Sequence, residues 1–501
     1  MMEEPRRPQP IRFLLNGRPI TVSDGAPTMN VLEYLRQRER CTGTKEGCAE
    51  GDCGACTVVV GEKVRDELEL KAVNACIQFL PTLDGKALFT VEYLRGNADA
   101  MHPVQKAMVD CHASQCGFCT PGFVMSLWAL YVNCVANKNP HPPDEKAVRR
   151  AITGNLCRCT GYRPIIDAGK HMLDAPMVVF DHAAILDELD RLANPVFPDA
   201  KKFGNSDQQF FAPRTLSQLT ALRAEFPTST ILAGGTDVGI WVNKQFRELG
   251  DILYTGCVAE LRTISEDPTA ITIGAAVTLS DAYAALALEF SELNELWERF
   301  ASMPIRNVGT LGGNIANGSP IGDAMPALIA LGARVVLQNS TRSRELPLDE
   351  LYVGYRQSAM QADEVLVNIV IPKPPPSLYF RVYKLSKRFD SDISAVCAAF
   401  AIELNGVAIK HCRIAFGGMA ATPKRALSTE QSLYGQVWND ATLQNAMEEL
   451  VKDFAPLGDM RASATYRMNA AKNLLQRFYL ETRHENPLPP KAVNVFAMAP
   501  V

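Results

Sequence analysis

The chain has 501 residues, 51 of them basic and 55 acidic, for a net charge of −4. Hydrophobic residues at 47% and charged residues at 21% match ordinary folded proteins and exclude global disorder, a collagen-like repeat and a coiled coil. The near-neutral balance favours neither nucleic acid nor a membrane surface, and the length fits three or four domains of roughly 100–200 residues.

The first ten residues, MMEEPRRPQP, are charged and proline-rich, which is not a secretory signal. The longest apolar stretch, Gly122 to Ala136, is shorter than the roughly 20 residues of a membrane span and carries Ser126, Asn133 and Cys134, so it reads as a core helix. The expectation is a soluble protein of the reducing cytoplasm, where thiols stay free for metals.

Residues 11–22 read as two strands joined by Asn16-Gly17, both tolerant of positive φ. A helix is predicted over Val31–Arg38, then a Gly/Cys-rich loop (43–56), a strand at Thr57–Val60 and a hairpin closing near Phe89–Val91. From about 98 to 175 the pattern is helical: Val104–Cys111, Gly122–Val135, Asp144–Thr153 and Ile165–Leu173, broken by Pro140, Pro142 and Pro143. Residues 176–210 lack a clear period and contain Asn194-Pro195 and Pro198, so they read as a linker. Beyond 211, strands at Ile231–Ala233, Ile252–Tyr254, Ile271–Ala275 and Val335–Gln338 alternate with helical runs. Pro374-Pro375-Pro376 marks a boundary, because proline cannot continue a ladder. Strands at Phe380–Lys384, Ala398–Ile402 and His411–Ala415 follow, and then helices.

The composition has one odd feature, 14 cysteines beside 7 histidines, too sparse for a disulfide scaffold in a chain this long. Cys48, Cys53 and Cys56 stand as C-x4-C-x2-C, with Cys76 further on, which is the plant-type spacing for four thiolates around a [2Fe–2S] cluster. Gly47, Gly51 and Gly54 let the loop curl at positive φ and bring amides to the sulfurs. Zinc, which favours paired C-x2-C knuckles, is the alternative. Cys116 and Cys119, with Cys157 and Cys159, form a second group. Its C-x-C pair suits a compact two-iron centre, with zinc again the alternative. Both pairs are expected at helix beginnings, where unpaired N–H groups favour an anionic cluster. Cys41, Cys111, Cys134, Cys257, Cys397 and Cys412 are left as apolar filler.

Residues 43–57 (GTKEGCAEGDCGACT), 115–122 (QCGFCTPG) and 153–165 (TGNLCRCTGYRPI) closely resemble the iron–sulfur part of the molybdenum hydroxylases, nearest to the bacterial xanthine-oxidising members.

No G-x-G occurs, so a dinucleotide Rossmann fingerprint is absent. Two glycine-rich turns remain, 231–239 (ILAGGTDVG) and 309–323 (GTLGGNIANGSPIGD), which expose backbone N–H groups to a pyrophosphate or simply turn the chain. Together with Phe300 and the Pro304-Ile305-Arg306-Asn307 run they are similar to the FAD domain of the same family. The resemblance implies that Ile231, Leu232, Ala233, Gly234, Gly235, Thr236, Asp237 and Val238 cradle the pyrophosphate. It implies that Phe300, Thr310, Leu311, Gly312, Gly313, Asn314 and Asp323 line the rest of the site. Leu366 and Lys384 correspond to positions near the isoalloxazine. Without the resemblance, Phe300 and Leu366 read as core residues and Asp323 as a helix cap. Pro304 departs from the family pattern by removing an N–H. The block 388–392 reads either as a loop approaching the flavin or as a solvated charged turn.

The implied fold is multidomain α+β. It has a β-grasp ferredoxin-like domain (10–94), a helical second [2Fe–2S] domain (95–178), a linker (179–205), a two-part α/β FAD-binding domain (206–376) and an α+β C-terminal flavoprotein domain (377–487). The resemblance further implies two [2Fe–2S] clusters and FAD, with NAD⁺ as co-substrate. It implies a molybdenum-binding large subunit that carries the molybdopterin, in an (αβ)2 heterotetramer. The chain ends after the flavin part, so the molybdenum site is expected on that second polypeptide. No catalytic nucleophile or base is expected here. The alternatives are another molybdenum hydroxylase acting on aldehydes or N-heterocycles, a free-standing NADH-dependent flavoprotein, and a structural zinc protein.

Overall fold

A computed structural model describes residues 9–95, 101–135, 141–192, 200–204 and 207–493. It divides into two compact units, Met1–Ala259 with Ala301–Gly309, and Glu260–Phe300 with Thr310–Val501. The stretch 206–376 therefore contributes to both.

In the first unit, β1 (Ile11–Leu15) and β2 (Arg18–Val22) pair antiparallel across Asn16 (φ 53°) and Gly17 (φ 80°), the two-residue turn whose twist matches the strands. With β3 (Thr57–Val64), β4 (Glu67–Asn74) and β5 (Ala87–Phe89) they form one sheet in the order β2-β1-β5-β3-β4, in which β1 and β5 run parallel. Alternation decides what each face meets. Ile11, Phe13 and Leu15 pack with helix α1 (Val31–Gln37), which Asn30 caps by accepting from Glu33 N at 2.8 Å. Leu14, Val59 and Phe89 turn the other way, into the helical part.

That part comprises α2 (Pro103–Asp110), α3 (Thr120–Val135), α4 (Glu145–Ala151) and α5 (Arg163–His171). The apolar run read as a core helix is α3, and its Trp128 lies 5.4 Å from Phe89 and 5.5 Å from Phe180, ring centre to ring centre. Among the described residues no helix is long and apolar enough to cross a membrane.

The stretch read as an aperiodic linker contains a helix, His182–Leu192. Ile185 and Leu189, four apart, are buried on one side, and Asp181 accepts from Ala184 N at 3.0 Å at its start. Ile185, Leu186, Leu189 and Leu192 do stand at helical spacing, but the run is short and lies between irregular stretches, so the period does not stand out in the sequence. Asn194, Pro195 and Pro198 lie outside the described residues. A four-stranded sheet follows in the order Lys201–Gly204, Gln209–Ala212, Ile252–Tyr254 and Thr230–Leu232, parallel at its last two pairings.

The second unit opens with a five-stranded antiparallel sheet in the order Ile264–Glu266, Ala270–Gly274, Val365–Pro372, Arg334–Gln338 and Ser343–Pro347. Ile271, Ile273, Val335, Leu337, Ile369 and Ile371 fill one face against helices Leu279–Glu289, Leu311–Asn317 and Ala324–Ala330. After the prolines, strands Leu378–Ser386, Ser394–Asn405 and Ala408–Gly417 form a meander, backed by helices Asp440–Asp453 and Ala464–Thr482. Phe400 stacks on Phe478 at 5.1 Å in that core.

Candidate functional site

Residues 43–56 form an irregular loop that the sequence bends inward at Ala49 (φ 56°), Gly51 (φ 78°) and Gly54 (φ 67°). The bends turn amides onto one sulfur: Glu50, Asp52 and Cys53 N–H groups reach Cys48 Sγ at 3.4, 3.3 and 3.3 Å. A Cβ on Gly47 would sit 2.7 Å from Cys53 Sγ, so glycine there makes room for the thiol. Cys76 arrives from the end of β4. Among the described residues no three metal-binding side chains close on a single point. The thiols are neighbours in a run, Cys53 beside Cys48, Cys48 beside Cys76 and Cys76 beside Cys56. Four neighbouring thiols suit a centre of two irons held by four thiolates, and the amide donors suit its negative charge. Hydrogen bonds from the Cys53 and Cys76 thiols push the Cys48 thiol down in pKa, while Cys53 and Cys76, which share their hydrogens with Cys48, are pushed up.

The second group is more open. Cys116 and Cys159 are exposed, Cys119 and Cys157 half-buried, and the thiols pair as Cys119 with Cys157 and Cys116 with Cys159. Burial and the Cys157 thiol push Cys119 up to about 12. Burial opposes ionisation of Cys157, but the Thr160 hydroxyl (3.2 Å) and amide (3.4 Å) win and lower it. Cys119 directly precedes α3, as expected. Cys157 and Cys159 do not begin a helix. Gly161 (φ 67°) and Tyr162 (φ 70°) keep the chain non-helical until Arg163, so Thr160 supplies the donors expected of a helix terminus.

Asn155 joins the two loops. Its amide donates to Gly54 O (3.1 Å) and Thr57 Oγ1 (3.0 Å), its Oδ1 accepts from Ser126 Oγ (2.7 Å), and beside it Leu156 N donates to Cys53 O (3.0 Å). Spacing gave no sign of this role.

Of the flavin candidates, Ile231 and Leu232 lie on strand Thr230–Leu232, residues 233–237 form the turn, and Val238 opens helix Val238–Asn243. Gly234 presses on backbone, since a Cβ there would lie 1.9 Å from Val308 O, and Gly235 sits at φ 76°. Burial pushes the Asp237 carboxyl up. Pro304 falls in the first turn of the short helix Met303–Arg306, where an N–H has no intrahelical partner, so its loss costs no helix bond.

In the second unit the stretch 309–323 is not one turn. Thr310 caps helix Leu311–Asn317 by accepting from Gly313 N at 2.9 Å, and Gly318 (φ 58°) ends it. The glycine pair allows close packing, for a Cβ on Gly312 would lie 2.5 Å from Ala275. Asn314 Oδ1 is buried with no hydrogen-bond partner, an acceptor open to a bound group. Asp323 makes no cap bond. Its carboxylate pairs with Lys384 and accepts from Ser394, which Lys384 also reaches at 2.8 Å, so two candidates meet in one buried network. Leu366 is core, and Phe300 lies 5.9 Å from Tyr283. In the 388–392 block, Arg388 N donates to Asp392 at 2.9 Å. Arg299, which the sequence did not flag, lies 4.6 Å over the Phe389 ring and donates to Phe389 O at 3.0 Å.

Residues 13–80 match the 2Fe-2S iron-sulfur cluster binding domain and 90–170 a [2Fe-2S] binding domain. Residues 202–374 match the FAD binding domain in molybdopterin dehydrogenase and 381–482 the CO dehydrogenase flavoprotein C-terminal domain. The chain is an iron–sulfur/FAD electron-transfer module of the molybdenum hydroxylase family. The module is 34% identical to a xanthine dehydrogenase of Emericella nidulans over 94% of its own length and 38% of that protein's. For the xanthine dehydrogenase/oxidase of Gallus gallus the figures are 30%, 96% and 40%. It thus spans well under half the length of the curated relatives it matches. Among solved structures, 57% of the module superimposes on an entire chain of quinoline 2-oxidoreductase from Pseudomonas putida, with a TM-score of 0.51 and 25% identity. A CO dehydrogenase chain from Oligotropha carboxidovorans matches 55% of the module at 26% identity, with the same score over 96% of that chain.

Proposed function

We propose that this chain is the iron–sulfur/FAD subunit of a xanthine dehydrogenase. In this reading hypoxanthine and xanthine are oxidised to urate at a molybdenum–pterin centre on a large partner subunit, with NAD⁺ as final acceptor. Two [2Fe–2S] clusters and FAD supply one- and two-electron redox chemistry when bound. The chain's own residues hold and shield these groups. Cys48, Cys53, Cys56 and Cys76 ligate the plant-type cluster, and Cys116, Cys119, Cys157 and Cys159 the second. Ile231 to Val238, Phe300, Thr310 to Asn314, Asp323, Leu366 and Lys384 contact FAD. No residue here is assigned to proton transfer. The observation that carries the reading is the gathering of the eight cysteines in two sets of four, the first with three amides on Cys48 Sγ, together with xanthine dehydrogenases similar over 93% or more of the chain.

We place the molybdenum site on a separate chain in an (αβ)2 assembly in the cytoplasm. Support comes from two solved neighbours, in each of which nearly the whole of one chain matches little more than half of this one, so parts joined here stand on separate polypeptides there. Co-expression with a molybdenum-binding partner, metal analysis and a xanthine/NAD⁺ assay test the proposal. Four irons, one FAD and xanthine-dependent NADH formation are expected. Turnover of an aldehyde or N-heterocycle, with none of xanthine, would overturn the substrate and favour the hydroxylase alternative, to which the quinoline 2-oxidoreductase likeness lends support. Cys119→Ser is expected to abolish turnover while FAD stays bound.

A further inference from the structure

Helix Val238–Asn243 follows the glycine turn, and its last residue reaches back to the plant-type loop. Asn243 is half-buried, and its side-chain amide donates to the Ala49 carbonyl at 3.0 Å and to the Cys76 carbonyl at 2.7 Å. These carbonyls stand at opposite ends of the four-thiol set. Ala49 follows Cys48 and is a non-glycine residue at φ 56°, a conformation that persists only where its surroundings hold it. Cys76 is the last thiol of the set. The same helix is seated against the next residue, for a Cβ on Gly239 would lie 2.6 Å from the Ile77 carbonyl oxygen.

We propose that Asn243 is a positioning residue for the plant-type cluster, tying the Cys48 end of the loop to Cys76 through one amide. The inference rests on the cluster assignment above. An NH₂ group has two hydrogens, so it serves two carbonyls at once; a hydroxyl serves one and a carboxylate none. By fixing both peptides, Asn243 fixes the direction of the Cys48 and Cys76 sulfurs. Asp at this position keeps the size, removes both donors and sets a negative charge against two carbonyl oxygens. That charge opposes the electron a reduced cluster must accept.

The test is an EPR-monitored redox titration of the full chain as wild type, Asn243→Asp, Asn243→Ala and Asn243→Ser, with FAD content measured in each. The plant-type signal is expected to move to more negative potential and change its g values in Asn243→Asp. Asn243→Ala should shift less, and Asn243→Ser, with one donor, should lie between Ala and wild type. The second cluster's signal and the FAD content should not move. Wild-type g values and potential in both Asp and Ala variants would overturn the inference. Loss of both clusters and FAD together would also overturn it, by making Asn243 a general folding residue. Failure of the underlying assignment is distinguishable, because the wild type itself would then show no plant-type signal.

Discussion

Cys56 and Cys76 are each 2% exposed and three backbone amides point at the neighbouring Cys48 sulfur, whereas Cys116 and Cys159 lie on the surface and Thr160 supplies the donors at Cys157. Both loops present four thiols, in opposite surroundings. The first is surrounded by the chain's own dipoles, and the second faces outward with one hydroxyl and one amide on Cys157. Burial and hydrogen bonding are the levers that set a cluster's potential, so the two centres are tuned by different means.

The sharpest way to break this comparison is ligand removal. Cys76→Ser is expected to abolish the plant-type EPR signal and lower the urea midpoint, because it leaves a hydroxyl in a 2% exposed site. Cys159→Ser should cost its own cluster with stability unchanged within about 0.5 kcal/mol, as at other surface positions. Equal midpoints in the two variants would sink the contrast.

Glycine substitution sharpens it next. Gly54→Ala places a Cβ at φ 67° and 2.3 Å from the Gly154 carbonyl oxygen, backbone that cannot give way, so both cluster signals should fall together. Gly117→Ala meets nothing within 4 Å at φ 82°, and should cost about 1–2 kcal/mol of backbone strain with both clusters retained. EPR spin counts alongside urea titration decide the matter.

Asn155→Ala is expected to cost about 1–3 kcal/mol by taking the acceptor from the buried Ser126 hydroxyl and one donor each from Gly54 O and Thr57 Oγ1, which keep their bond to each other, and to perturb the plant-type signal although Asn155 ligates nothing. An unchanged spectrum would separate the two loops.

The smallest expected effect is on pH dependence. His102, which heads α2 and is 8% exposed, is held by burial at about 4. The folded protein thus binds this proton later than the unfolded chain, whose histidine titrates near about 6.5. Its contribution is complete above that pH and is lost as pH falls toward 4. Urea midpoints of wild type and His102→Asn at pH 7.5 and about pH 5 should diverge, the wild type losing more.

Much of this was legible in the sequence because short spacings carry it. The C-x4-C-x2-C run, the Asn16-Gly17 turn and the strand-to-glycine passage at 231–235 are local, and the chain folds them locally. Asn155, Asn243 and Arg299 escaped notice because each acts on carbonyls that are distant in sequence, and an asparagine or arginine has no period. Two misreadings have similar causes. The glycine pair at 312–313 suggests a turn, yet glycine also serves a helix that must approach Ala275. The C-x-C pair lies too close to α5 for spacing alone to reveal the positive φ at Gly161 and Tyr162 that holds it outside the helix.

The bond from Asn155 to Gly54 O closes the plant-type loop with a residue 101 positions later in the chain. On a ribosome adding roughly 5–20 residues per second, Asn155 is synthesised about 4–16 s after Cys76, the last of the four thiols. During that interval the loop is complete in its ligands and open on the side that Asn155 and Leu156 later cover. The last wall of this loop is therefore supplied by a part of the chain made after all four of its thiols, so the loop's final shape belongs to the folded domain pair and not to residues 43–76 alone.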